Sequence, residues 1–201
     1  IQEITDEKGH IQDAKLRAED FLLNENNQKT DKKDLKTIKE MKDNIEKNIL
    51  SKCIDIRLFG ATIPIDKASN DKSSLTYTGP VQLQMGVSLH KVKLHYLKGT
   101  GAFASQEGAT QKTFREEYVL PYSLIGFYGI VNENAAKHTK LEEKDIDLLM
   151  EAIWNGTKNL ISRSKIGQQP RLLMKITYKV NNYHIGELNK SLKLEFNEGM
   201  N

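Results

Sequence analysis

Leu35, Ile38, Met41, Ile45 and Ile49 recur at steps of three and four, the spacing of one helix face. They predict a helix from about 32 to 50, capped by Thr30 or Asp31, with a solvated Lys/Glu/Asp face opposite. An earlier helix over about 12 to 24 carries Leu16, Phe21 and Leu23, and the polar run NENNQKTDKKD separates the two. In CIDIRLFG, Ile54, Ile56 and Leu58 alternate with Asp55 and Arg57, which predicts a strand ended by Gly60. Residues 60–78 read as a flexible loop, most mobile around 69–74. VQLQMGVSL alternates most clearly. Val81, Leu83, Met85, Val87 and Leu89 share one face; Gln82, Gln84, Gly86, Ser88 and then His90 share the other. After Leu89 the phase slips by one residue, to Val92, Leu94 and Tyr96, as at a bulge or the start of a new strand.

Residues 97–117 are rich in Gly, Thr, Ser and Gln and read as an excursion between two strand segments. YVLPYSLIGFYGIV is apolar enough to cross a core, with Pro121 at an edge or kink. Thr139 and Glu142 have capping-box spacing ahead of a helix over about 141 to 160, whose stripe is Leu149, Ala152, Ile153 and Leu160. LLMKITYKV and SLKLEF complete the pattern as strands, and residues 1–5 resemble the tail of another. The element order implies an α+β fold: an antiparallel, ferredoxin-like sheet covered by helices, in one domain over 1–201 with insertions.

Charge changes this picture. The 201 residues carry a net +3, but no Asp or Glu occurs between Asp71 and Glu107, nor between Glu151 and Glu187. Lys72, Lys91, Lys93 and Lys98 lie in the first window, and Lys158, Arg163, Lys165, Arg171, Lys175 and Lys179 in the second. The windows together hold +10, leaving −7 for the remainder, a distribution that suits a basic face for a polyanion. No apolar run is long enough for a membrane span and no signal peptide is visible, which points to a cytoplasmic protein. The single cysteine, Cys53, cannot form an internal disulfide and reads as a small buried hydrophobe. The first residue is Ile, so the natural start, and an N-terminal strand with it, is expected to lie outside this chain.

The five histidines show no metal-ligand spacing, and GTGAFA lacks the rest of a dinucleotide fingerprint. No nucleophile elbow or phosphate loop is present. No cofactor, metal or catalytic set follows from the residues; Asp55, Asp66 and Asp71 would be the suspects in a nuclease. Binding remains. The segment ISRSKIGQQPRLL, 161–173, sets Arg163, Lys165 and Arg171 among Ser, Gly, Gln and Pro without a carboxylate. Arg163 and Lys165 supply charge, Ser162, Ser164 and Gln168 supply neutral donors, and Gly167 admits close backbone approach. Gln82, Gln84, Ser88 and His90 offer further donors suited to phosphate, ribose or base edges.

KCIDIRLFGATIP, LTYTGPVQLQMGVSLHKV, FREEYVLPYSLIGFYGIVNENAA and DIDLLMEAIWNGTKNLISRSKIGQQPRLL together resemble the crRNA-binding backbone subunit of type I CRISPR Cascade complexes, of the RAMP superfamily and most like type I-B. The resemblance runs from about residue 52 to 179. It implies a modified RNA-recognition-motif palm with an inserted thumb hairpin over about 97–116, and copies stacked head to tail along one crRNA. The guide would pair with target DNA, beside a guide 5′-end-capping subunit and the large and small subunits, and this subunit would have no catalytic role. On the matching positions it implies RNA contacts at Arg163, Ser164, Lys165, Gln168, Thr78, Gln82 and Gln84, to which the polar face of 81–90 adds His90, and thumb residues Phe103, Gln106 and Phe114. The alternative is a metal-dependent target-RNA nuclease subunit of a type III-like complex, using Asp66 or Asp71.

Overall fold

The computed structural model describes residues 18–22, 28–29, 37–66, 72–100 and 114–195. The span 1–201, read as one domain with insertions, has two centres of packing. One is Ile1–Gln82 with Ile130–Ile153, the other Leu83–Gly129 with Trp154–Asn201.

The first unit is built on α1, Ile38–Lys52. Thr37 starts it: the Thr37 hydroxyl accepts from the Glu40 N–H at 3.2 Å, and the Glu40 carboxylate accepts from the Thr37 N–H at 3.3 Å. This reciprocal box satisfies two otherwise orphaned donors. The caps expected at Thr30 and Asp31 lie outside the described residues, as does most of the earlier helix, of which 18–22 show one turn. Met41, Ile45, Ile49 and Leu50 are buried, and they join Ala18, Leu22, Cys53, Ile56, Ile63 and Ile65 in the core. Cys53 is thus a packed hydrophobe, between two helices.

The second of these helices corrects the sequence reading. Residues 54–58 form not a strand but α2, Ile54–Phe59. Arg57, read as the outward residue of a strand, turns back onto α1 instead. It donates to the carbonyls of Leu50 at 2.9 Å and Ser51 at 3.3 Å, and so caps the C-terminus of α1. These contacts outweigh the β-propensity of the isoleucines. The loop expected over 60–78 is likewise largely a hairpin: β1, Gly60–Asp66, pairs antiparallel with β2, Lys72–Thr78, in register from Gly60↔Thr78 to Asp66↔Lys72. Ile63 and Ile65 are buried and Leu75 and Tyr77 pack beside them, so the alternation that makes these strands was already in the sequence. Pro64 masked it; in a two-stranded ladder each strand has a free edge, and proline is tolerated at the positions whose N–H would face that edge. Gly60 has φ +72, and a Cβ there would lie 2.2 Å from the Tyr77 carbonyl oxygen. The chain can therefore pass from α2 straight into β1 only with glycine.

Asn132 caps α3, Glu133–Thr139, by accepting from the N–H groups of Asn134 and Ala135. The sequence reading has no counterpart to this helix. α4, Glu143–Asn159, follows. Its N-terminus is not the Thr139–Glu142 box. The Thr139 hydroxyl is spent on the Ala136 carbonyl at 3.5 Å, and the Glu142 N–H is satisfied by the Asp145 carboxylate at 3.2 Å. The half-buried stripe of α4 is Ile146, Leu149, Met150 and Ile153, continuing to Thr157, whereas Ala152 and Leu160 are exposed.

The remaining strands are short. β3, Val81–Leu83, pairs with β8, Gly129–Val131; β4, Val87–Ser88, with β7, Ile125–Gly126; and β5, His95–Thr100, with β6, Phe114–Val119. The long strand expected from 81 is therefore broken at 84–86, and only Val81 of its apolar face is buried; Met85 is 88% exposed. The slip after Leu89 does precede a new strand, β5. YVLPYSLIGFYGIV does not cross a core, since Tyr118, Tyr122 and Phe127 are each at least 70% exposed. Residues 171–178 form no strand, and in place of the strand expected over SLKLEF the described residues show a short 3-10 turn, Leu188–Ser191, and irregular chain over 192–195. Leu172, Met174, Ile176 and Val180 keep the alternation but find no ladder among the described residues. The class is α+β, and every sheet among the described residues is a two-stranded antiparallel pair. None of the described helices is long and apolar enough to cross a membrane.

Candidate nucleic-acid interface

Beyond α4 the chain folds into consecutive tight turns. The N–H groups of Lys165 and Ile166 donate to the Ser162 carbonyl at 3.0 and 2.9 Å, and the Gln168 N–H donates to the Lys165 carbonyl at 3.1 Å. Gly167 closes the turn with φ +84, a left-handed conformation with open space around it. Its role here is conformational, not steric. Arg163, Ser164, Lys165 and Gln168 are all exposed on this turn, so the structure does bring four of the expected contact residues together.

The positive charge of the turn is partly compensated. Glu117 lies far away in sequence, at the start of no window, yet β6 delivers its carboxylate to the turn. Arg163 donates through one terminal nitrogen to both Glu117 oxygens, with 2.5 Å to Oε2. Arg115, two residues before Glu117 and so on the same face of β6, donates to Oε2 at 2.5 Å. Hydrogen bonds from Arg115 and then Arg163 hold the Glu117 carboxyl below the usual carboxylate range. Both arginine side chains remain more than half exposed, at 56% and 58%. Gly99 pairs with Arg115 across the ladder and leaves that side open.

The other expected contacts divide between the two units. Thr78, exposed at the end of β2, and Gln82 belong to the first; Gln84 and His90 belong to the second with the turn. The Gln82 amide donates to the Gly79 carbonyl at 2.8 Å, while the Gln84 side chain is exposed. His90 is engaged on both ring nitrogens. Nε2 accepts from the Leu124 N–H at 3.1 Å, so Nδ1 carries the proton and donates to the Lys91 carbonyl at 2.9 Å. Its ring stacks on Tyr122 with centroids 5.4 Å apart, and Ser88 and Ser123 bond around it. This ring organises the β4–β7 corner.

β5 and β6 frame the segment that the resemblance makes a thumb. Tyr96 and Tyr118 are direct partners in the ladder, with centroids 5.1 Å apart, and Lys98 lies 5.6 Å from the Tyr96 centroid and 3.5 Å from a Glu116 oxygen. Phe103 and Gln106 lie outside the described residues, and Phe114 is described only as the backbone partner of Thr100.

Apart from Lys72, the basic residues of both carboxylate-free windows fall in the second unit. The sequence of that unit holds thirteen Lys and Arg against six Asp and Glu, net +7, which leaves −4 of the chain's +3 for the first. Among the described residues no three His, Cys, Asp or Glu side chains are grouped to hold a metal ion. Asp55 sits half-buried in the first turn of α2, and the Asp66 and Asp71 side chains lie outside the described residues. Sequence reasoning missed the best-formed polar contact of the first unit. Arg57 grips Asp145 with two bonds of 2.7 Å, their side chains only 12% and 3% exposed. These partners are 88 residues apart, and no local pattern links them.

Residues 3–200 match the family model described as CRISPR-associated protein Cas7. The chain is also 34% identical, over 160 residues, to a protein of Haloferax volcanii described as CRISPR-associated protein Cas7; the alignment covers 72% of this chain and 47% of that protein. These matches place the chain among CRISPR-associated proteins. It belongs to the Cas7 family, as the motifs quoted above imply, and it spans about half the length of the relative it matches.

Proposed function

We propose that this chain is part of a non-catalytic backbone subunit that grips crRNA and presents it for pairing with target DNA, in a type I-B-like Cascade complex. In this reading further copies stack along the guide, with the guide 5′-end-capping, large and small subunits as neighbours. The palm is a modified RNA-recognition-motif fold, and residues 97–116 form the thumb. Family membership supports the CRISPR setting. The observation that carries RNA binding is the gathering of the basic residues of both carboxylate-free windows, Lys72 aside, in one unit of net +7, with Lys165 exposed on a glycine-closed turn. Backbone gripping of this kind leaves sequence reading to base pairing.

The test is salt-dependent RNA binding by the double variant Arg163→Ala, Lys165→Ala. Affinity should fall alike for unrelated RNA sequences, and the slope of log K against log salt should flatten by about 0.7 per lost phosphate contact. An unchanged slope removes the turn from the contact surface.

A further inference from the structure

Two guanidinium groups from separate segments converge on one carboxylate at the surface of the second unit. Arg115 comes from β6 and Arg163 from the turn after α4, and both converge on the oxygen pair of Glu117. Each uses one terminal nitrogen for this. A guanidinium has five N–H donors in a rigid fork, so most of the donors of this pair are left for another acceptor. The two oxygens of a carboxylate are spaced much like two non-bridging oxygens of a phosphate, and arginine forks match both. The cluster carries two positive charges against one negative, within the unit of net +7. Exposed ion pairs of this kind are weak, so a polyanion can displace the carboxylate.

We infer that Arg115 and Arg163 form one phosphate site for a phosphodiester of single-stranded RNA, which Glu117 fills in the free chain as an internal counter-ion. This rests on the RNA-binding reading above. It adds Arg115 as a contact and gives Glu117 a role: the carboxylate keeps the two forks convergent and yields when the strand arrives. Glu116, one residue away, provides a matched control. It carries the same charge but lies on the opposite face of β6, beside Lys98.

The experiment measures binding of a mixed-sequence single-stranded RNA to the full chain as salt is varied. Glu117→Gln should tighten binding roughly two- to fivefold, the equivalent of one exposed ion pair. Glu116→Gln should do clearly less, and the Glu117→Gln gain should vanish when Arg115→Ala and Arg163→Ala are added. Arg115→Ala alone should flatten the salt slope as much as Arg163→Ala, by about 0.7, and the double variant should lose no more than either. Equal gains from Glu116→Gln and Glu117→Gln would reduce the effect to long-range charge and overturn the site. Additive slope losses would overturn the single shared phosphate. Replacing chloride by inorganic phosphate at constant ionic strength should weaken RNA binding by the wild type more than by the Arg115→Ala, Arg163→Ala double variant, as competition for a shared phosphate site requires; equal sensitivity in the two chains would overturn the site. A wild-type chain that binds no RNA would contradict the function proposed above, whereas RNA binding with these variants silent would contradict the site alone.

Discussion

Among single residues, Asp145 shows most plainly how folding and function separate. Its carboxylate is nearly inaccessible, bonded twice by Arg57 and once by the Glu142 N–H. Hydrogen bonding to Arg57 holds its pKa below the usual value, against the opposing effect of burial. Asp145→Asn should lower unfolding stability by about 3–5 kcal/mol, because Arg57 is left buried and unpaired. The sign of the pH effect follows from the depressed pKa. Stability from Asp145 is complete above the unfolded carboxylate value of about 4 and is lost as pH falls through the lower folded value. The gap between wild type and Asp145→Asn in urea midpoint should therefore be constant near neutrality and shrink below about pH 4. A gap that is unchanged at low pH would show that the ion pair is not its source. None of this was legible locally: the sequence shows Arg57 as a polar strand position and Asp145 as one acid of a helix. Arg163 is similar. Its segment contains no carboxylate, but Glu117, 46 residues away, is brought to it by the fold.

For secondary structure, legibility followed the availability of a partner. The period of α1 was readable because Met41, Ile45 and Ile49 face a core inside the same unit. The alternations of 81–89 and 172–180 were equally clear, but alternation describes a surface that needs covering, and among the described residues these surfaces find little. Conversely β1 and β2 form despite Pro64, because Ile63 and Ile65 are buried by α1. Where α2 meets β1, backbone approach decides. A Cβ on Gly79 would lie 2.2 Å from the Phe59 carbonyl group, so Gly79→Ala must displace backbone. It should destabilise by about 1–3 kcal/mol in urea unfolding, whereas Gly156→Ala, inside α4 with no atom nearby, should stabilise by about 0.5–1 kcal/mol. Equal effects would refute the close approach. The β5–β6 pair makes a second prediction. Joining Thr100 to Phe114 by a short Gly-Ser turn keeps the ladder and removes residues 101–113, the middle of the segment assigned to the thumb. RNA binding by single copies should survive while ordered stacking along RNA fails, visible as shortened particles in electron micrographs. Particles of normal length would remove the thumb from assembly.

Across the molecule, charge segregation was visible in the sequence before any element was. The two windows without carboxylates are separated by residues 107–151 yet contribute to one unit, with +7 there and −4 in the other. The class of fold was legible too, and the family resemblance was carried by long motifs, which the match over residues 3–200 supports. The division into two units was not legible, because it depends on which short strands find each other: β3 with β8 and β4 with β7, each pair separated by the whole β5–β6 hairpin. The account rests on RNA lying against the second unit. Ultraviolet crosslinking of the chain to bound RNA, followed by mass mapping of the linked peptides, tests this directly. Crosslinks should concentrate in residues 83–129 and 154–195, with the turn around Lys165 among them; crosslinks confined to residues 1–82 and 130–153 would contradict it.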